Sequence, residues 1–194
     1  MMHPMTEPVE ANLAPGPRLN RRATLFLAVA AAAGVGGATL AWWRHAVPQA
    51  QQAVDAALWQ RKFATHDGAQ LAMEVFRGKP LVLNFWATWC PPCIEEMPLL
   101  DRFFRENSSK GWQVLGLAID KPSSVRQFLG ANPIAYPVAL AGPGGSELLQ
   151  NLGNISGGLP FTVVIGSGGV LIQRKLGRLS TGDLAAWTSL EGSA

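Results

Sequence analysis

Residues 81–98 read Leu81-Val82-Leu83-Asn84-Phe85-Trp86-Ala87-Thr88-Trp89-Cys90-Pro91-Pro92-Cys93-Ile94-Glu95-Glu96-Met97-Pro98, and they contain both cysteines of the 194-residue chain. The run 81–86 is short and almost continuously apolar, the pattern of a strand buried on both faces. After it, Ile94, Met97, Leu100, Phe103 and Phe104 recur at helical spacing, which predicts a helix from Cys90 to about Asn107. Pro98 falls inside that helix, and because the apolar period continues past it, a kink rather than an end is expected. A Cys-x-x-Cys at the junction of such a strand and such a helix is the pattern of a redox-active cysteine pair. With Cys90 at the N-cap and Pro91 at the first helical position, the Cys90 sulfur is expected beside free backbone N–H groups and the positive end of the helix dipole. Such a site favours thiolate over thiol.

Two other uses of the motif fit less well. A structural zinc normally takes four ligands, and the chain has no third cysteine and no closely spaced histidines. A purely structural disulfide across so short a loop constrains little of the unfolded chain.

Upstream of the motif, residues 59–63 and 70–73 flank His66-Asp67-Gly68, and Asp-Gly between short apolar runs is a hairpin signal. Downstream, residues 112–119 read as a second buried strand, 123–131 as a helix and 136–139 as a short strand. Gly144-Gly145 precedes a further helix through Leu152. Residues 161–165 and 170–174 are strand-like runs joined by Gly166-Ser167-Gly168-Gly169, a tight antiparallel connection. Ser180 and Asp183, at capping-box spacing, introduce a last helix through Leu190. Strands alternating with helices, then a hairpin and a helix, imply an α/β fold with a mixed central sheet covered on both faces.

The N-terminal quarter differs in kind. Residues 1–22 are polar and proline-rich and end in the cluster Arg18, Arg21 and Arg22, as in a disordered tail. The 21 residues 23–43 carry no charge and end in Trp42-Trp43, and as a helix they would span roughly 31 Å, about one bilayer core. Arginines before this span outnumber Arg44 after it, so the positive-inside rule places the tail in the cytoplasm and everything after Arg44 outside it. The alternative is a cleaved export signal, with Arg21-Arg22 as a twin-arginine feature and Gly36-Gly37-Ala38 as a cleavage site. Residues 44–56 read as a linker and 57–194 as the folded domain. From Asp55 onward basic and acidic residues nearly balance, so the formal charge of +3 belongs to the N-terminal stretch and no basic patch argues for nucleic acid.

The run from Leu83 to Cys93 with Glu96-Met97-Pro98 resembles the membrane-anchored TlpA/ResA-type thiol:disulfide oxidoreductases of the thioredoxin superfamily, over about residues 58–190. The resemblance implies a thioredoxin-like fold with an N-terminal hairpin and one inserted α/β step near residues 122–141. It aligns Gly158-Leu159-Pro160-Phe161-Thr162 with the family's cis-proline loop. On this reading Cys90 attacks a substrate disulfide and Cys93 resolves the mixed disulfide. Trp89, Pro91, Leu159 and Pro160 would form the substrate-docking surface, while Trp86, Phe85 and Leu83 belong to the core. No cofactor beyond the Cys90–Cys93 disulfide is implied. The implied partners are a disulfide-containing protein and a membrane electron donor, with the domain in the periplasm of a bacterium and the anchor in its inner membrane.

Departures from relatives narrow the analogy. Thioredoxin has a buried aspartate where this chain has Asn84, so the proton of Cys93 must leave through water or a neighbour such as Glu95 or Glu96. These two glutamates are expected to be ordinary residues near the helix start, stabilised by its dipole. Pro91, Pro92 and Phe161 stand where some cytochrome c maturation relatives carry acidic residues. A thiol oxidase of the DsbA kind would need a helical insertion the chain has no room for. A peroxiredoxin would need proline at Asn84 and threonine at Ala87. In a different class, a Cu(I) metallochaperone would use the two thiolates with His66 as a possible third ligand.

Overall fold

The computed structural model describes residues 52–191. In chain order the elements are β1 (Gln52–Ala53), α1 (Ala56–Gln60), β2 (Lys62–Ala64), β3 (Gln70–Ala72), a 3-10 turn (Met73–Phe76), β4 (Leu81–Trp86) and α2 (Pro91–Asn107). There follow β5 (Gln113–Ala118), α3 (Pro122–Ala131), β6 (Val138–Leu140), α4 (Gly145–Asn151), β7 (Phe161–Ile165), β8 (Val170–Leu176) and α5 (Thr181–Glu191). Six strands form one sheet in the order β1-β8-β7-β4-β5-β6, and β2 pairs with β3 in a separate hairpin. β4 is parallel to β5 and antiparallel to β7, so the sheet is mixed. This is a thioredoxin-like α/β fold, as expected.

β4 is central and every one of its residues is buried. Side chains alternate across a strand, and here the two sets enter two cores. Leu81, Leu83 and Phe85 pack with α1, the hairpin, the 3-10 turn and α4, whereas Val82 and Trp86 pack with α2, α3 and α5. The same alternation on β7 sends Phe161, Val163 and Ile165 to the first core and Val164 to the second. Asn84 lies opposite Thr162 in the β4–β7 register. Both occupy the α2-facing positions of their strands.

Three of the boundaries that differ from the sequence reading have a plain physical cause. The fold begins before residue 57: Ala53 pairs with Val170, the Val54 N–H bonds the Gly169 carbonyl at 3.0 Å, and Asp55 caps α1 by accepting from the Ala57 N–H at 2.9 Å. Residues 52–54, read as linker, thus cover the outer edge of β8, an edge whose need for a partner no local pattern shows, and Asp55 and Ala56 start α1. The first arm of the hairpin starts at Lys62 rather than at Trp59, because the capped run after Asp55 takes Leu58 and Trp59 into α1. β6 starts at Val138, since Pro137 has no N–H to give the ladder and contributes only its carbonyl, to the Gly116 N–H at 3.0 Å.

Among the described residues no helix is long and apolar enough to cross a membrane. The stretch expected to do so, 23–43, lies outside the described residues, as do the expected tail 1–22 and residues 44–51 of the expected linker.

Gly116 on β5 is packed closely against the core beside β4. A Cβ there would stand 3.1 Å from Trp86 Nε1, 3.2 Å from Tyr136 Cε2 and 3.3 Å from Val138 Cγ2. Gly116→Ala is expected to destabilise the domain by about 1–3 kcal/mol, read as a lower urea midpoint at unchanged m-value. An unchanged midpoint would show that these side chains yield without cost.

Candidate functional site

At Trp86 the chain leaves the sheet and turns into α2. The turn is tied down from β5: the Ile119 N–H bonds the Trp86 carbonyl at 2.8 Å, and the Thr88 N–H donates to Asp120 Oδ2 at 2.9 Å, with the Thr88 hydroxyl donating to the same oxygen. Partial burial works against the Asp120 charge, but the two donors from Thr88 and the adjacent Lys121 hold its carboxyl below the ordinary range. Cys90 is the N-cap of α2, Pro91 and Pro92 open it, and Cys90 and Cys93 are joined in a disulfide with their Cα atoms 5.3 Å apart. The helix runs on through Pro98 to Asn107, as its apolar period predicts.

One part of the expectation for Cys90 does not hold. Pro91 and Pro92 have no N–H, and the Cys93 and Ile94 N–H groups both bond the Cys90 carbonyl, at 3.1 and 3.2 Å. No backbone donor of the first turn is left free for the Cys90 sulfur, so the helix dipole remains as the influence of the helix start on it. Nor is Cys90 openly accessible, for it is 4% exposed against 0% for Cys93. The order suits the attacking and resolving roles that the resemblance gives the two cysteines, and an attacking sulfur must come in over the Cys90 edge. Trp89, 65% exposed, and Pro91, also exposed, stand beside that edge.

The Leu159–Pro160 peptide is cis. Pro160 lies one residue beyond the Phe85–Phe161 pair, which puts it at the same end of the sheet as Cys90. Its carbonyl is taken by the Gly177 N–H at 2.8 Å and its ring is buried, while Leu159 is half-buried and packs against the cluster that holds both cysteines. Of the four residues expected to dock a substrate, Trp89 and Pro91 therefore offer side-chain surface, Leu159 offers part of one, and Pro160 offers none. Leu83, Phe85 and Trp86 are core residues at 0% exposure, as read from the sequence.

Glu95 and Glu96 part company. Glu95 is exposed and ion-paired to Arg178, an interaction of little energetic weight at such exposure. Glu96 is 1% exposed, which overturns its reading as an ordinary helix-start residue. It sits three residues after Cys93, hence on the same face of α2. Its Oε1 accepts from Asn84 Nδ2 at 2.7 Å and its Oε2 from the Leu179 N–H at 2.7 Å. Burial raises its proton affinity above the ordinary carboxylate range, and the Leu179 N–H, Asn84, Lys175 and Arg178 oppose that rise without cancelling it. The Leu179 segment is held by the α5 capping box, in which Asp183 Oδ2 accepts from the Ser180 N–H at 2.7 Å and from Lys175 Nζ at 2.6 Å. The signal for Glu96 was present in the sequence as a charged residue inside the stripe Cys93, Met97, Leu100 and Phe103.

Among the described residues no group of three or more His, Cys, Asp or Glu side chains is arranged to hold a metal ion. His66 is the possible third ligand of the metallochaperone reading. It sits at the β2–β3 turn, where its carbonyl accepts from Arg126 Nε at 3.0 Å.

A strand that ends in a Cys-x-x-Cys disulfide at a helix N-cap, beside a cis-proline leading into the neighbouring antiparallel strand, defines a thioredoxin-like redox protein. The chain belongs to the Redoxin family, whose model matches residues 46–188. It is similar to thiol-disulfide oxidoreductase ResA of Bacillus thuringiensis subsp. konkukian, 32% identical over 112 residues that cover 57% of this chain and 62% of that protein. The chain thus spans a little under two thirds of the length of that relative. Sporulation thiol-disulfide oxidoreductase A of Bacillus subtilis is 26% identical over 116 residues, 58% of this chain and 68% of that one. Among solved structures, a thiol:disulfide interchange protein of the thioredoxin family from Chlorobium tepidum TLS superposes with a TM-score of 0.62 at 26% identity, covering 74% of this chain and 96% of that chain.

Because the proton affinity of Glu96 is raised on folding, the folded state holds its proton at pH values where the unfolded chain has lost it. The stability it contributes is complete below its ordinary value of 4.5 and is lost as pH rises through the folded midpoint. In the oxidised protein no thiol titrates. Glu96→Gln is therefore expected to flatten the decline of urea midpoint with rising pH above about 4.5. A decline of the same slope in the variant would assign it to another group.

Proposed function

We propose that the protein is a thiol:disulfide oxidoreductase that reduces disulfides of protein substrates. The observation that carries this reading is the Cys90–Cys93 disulfide, closed at the N-cap of α2 with only its Cys90 edge open, next to an exposed tryptophan. The similarity to proteins named thiol-disulfide oxidoreductases supports it.

In the reduced protein Cys90 attacks one sulfur of the substrate disulfide as a thiolate. That bond breaks, a mixed disulfide forms on Cys90, and the other substrate sulfur leaves as a thiolate. Cys93 then gives up its proton and attacks the Cys90 sulfur, which releases the second substrate thiolate and closes the Cys90–Cys93 disulfide. Two electrons pass from the protein to the substrate. In this reading Glu96, buried on the Cys93 face of α2 with raised proton affinity, takes the Cys93 proton. Trp89 and Pro91 supply apolar surface for the substrate beside the open edge, and the backbone at Leu159 offers it an extended chain to lie against.

Net reduction is the direction assigned because a cysteine pair beyond the inner membrane works where substrates become oxidised and must itself be recharged by a membrane donor. Residues 23–43 are the anchor in this reading, with the domain in the periplasm. What supports it is the uncharged run, its closing tryptophans and the arginine asymmetry around it. The protein is expected in the membrane fraction, with its domain open to protease in spheroplasts. Recovery as a soluble periplasmic species that lacks the run would show a cleaved export signal instead.

Order of attack tests the chemistry. Cys93→Ala keeps the nucleophile and removes the resolving thiol, so mixed disulfides should accumulate and multiple turnover should fall to the buffer-thiol background. Cys90→Ala should lose both turnover and trapping. Acid-quenched samples on nonreducing gels, followed by mass spectrometry, read the result. Adducts found mainly on Cys90→Ala would reverse the roles, and none on either variant would remove the exchange reading.

A further inference from the structure

Three polar side chains interrupt the α2-facing core, and the fold brings them into one line: Thr162 on β7, Asn84 on β4 and Glu96 on α2. All are buried, at 0%, 0% and 1% exposure. Asn84 Nδ2 uses both of its hydrogens, one on Glu96 Oε1 at 2.7 Å and one on Thr162 Oγ1 at 2.9 Å. Among the described residues Asn84 Oδ1 has no hydrogen-bond partner. A buried amide oxygen left bare beside an amide nitrogen bonded twice is an arrangement suited to one ionisation state of its neighbour, since an ionised carboxylate only accepts.

Consider where a proton goes when Glu96 gains one. Oε2 faces the Leu179 N–H at 2.7 Å, a backbone donor that cannot be reversed. The proton therefore belongs on Oε1, where it meets the Asn84 amino group, donor against donor. A primary amide is the side chain that relieves this in place, because a half-turn of its terminal group exchanges a donor for an acceptor of the same size. The Thr162 hydroxyl can follow, since it accepts from Nδ2 in one orientation and donates to Oδ1 in the other. An aspartate at position 84 could not serve the ionised state, having no hydrogen to offer and a like charge to repel.

We propose that Asn84, backed by Thr162, is a positioning residue whose amide turns over with each proton that Glu96 gains or loses, presenting Nδ2 to the carboxylate and Oδ1 to the carboxyl. The inference rests on the exchange reading for its use: the proton leaves Cys93 Sγ, joins Glu96 Oε1, and leaves again after the disulfide closes. Only hydrogen bonds change at Asn84 and Thr162. The other groups that face Glu96 do not reverse. The Leu179 N–H, Lys175 of β8 and Arg178 after it favour the carboxylate alone. The buried Tyr136 ahead of β6 has its own proton held by burial and by the nearby charges of Glu96 and Asp101. Cys93, 0% exposed in the disulfide, carries no proton in the oxidised protein.

The test is nuclear magnetic resonance on the oxidised full-length protein, labelled with 13C and 15N in detergent micelles, from about pH 4 to about pH 9. The Glu96 carboxyl carbon and the Asn84 side-chain amide signals should move with one shared midpoint, and the amide hydrogens should lose their hydrogen-bonded shifts as Glu96 protonates. Asn84 signals that stay still through the Glu96 transition would overturn the proposal. As a second readout, Asn84→Leu removes both faces of the amide. The charge-assisted bond is the stronger of the two lost, so proton binding at Glu96 should tighten by about tenfold, moving its midpoint and the pH profile of mixed-disulfide resolution up by about one unit. A well-folded Asn84→Leu protein with the wild-type profile would reduce Asn84 to packing and sink the idea. Failure of the exchange reading would appear separately, as absent turnover in the wild type, because the oxidised protein titrates without turning over.

Discussion

A carboxyl group taken out of water needs hydrogen bonds on both oxygens, or it takes up a proton. At Glu96 this requirement joins the helix to two other parts of the chain, the central strand and the segment that leads into the last helix. Oε1 depends on Asn84 in the central strand, and Oε2 depends on the Leu179 N–H. Leu179 in turn stays in place through the capping box of the last helix, where Ser180 and Lys175 converge on Asp183. The cysteines share this arrangement, because Cys93 and Glu96 lie on one face of the helix that Cys90 caps. A carboxyl satisfied but still reluctant to ionise is suited to taking and returning a proton, which a solvated surface glutamate does not do near neutral pH.

The position of the disulfide follows from the strand beneath it. β4 is buried on both faces and hydrogen-bonded on both edges, to β5 and β7, so it is a rigid base. Its end at Trp86 is braced by Ile119, Thr88 and Asp120, which leaves the chain one course into the helix. Two prolines then occupy helix positions whose N–H groups would otherwise be unpaired, and the donors that remain close on the Cys90 carbonyl. The sulfurs thus rest on a rigid base, with Trp89 exposed beside them.

The elements that local pattern specifies were legible before the tertiary structure. Helical spacing carried the helix from Cys90 through Pro98 to Asn107, and the Ser180–Asp183 pair announced the last helix. The strand ends and the start of the fold were less legible. Trp59 looked like strand until the Asp55 cap took it into a helix, and residues 52–56 looked like linker because a short edge strand needs only backbone groups. Glu95 and Glu96 are adjacent and chemically alike, so their different environments, one paired to Arg178 at the surface and one sealed under Leu179, depend on what packs above the helix.

The sequence by itself determined that a redox-active cysteine pair stands between a two-faced strand and an amphipathic helix, since alternation, helical period and capping are read within a few residues. Only the tertiary structure decided what surrounds the pair. It set Thr162 against Asn84 across 78 positions of chain and closed Leu179 over Glu96. The reason is physical: strand register and helix packing join residues whose partners no local pattern names, and the charge state of a buried group is set by those partners.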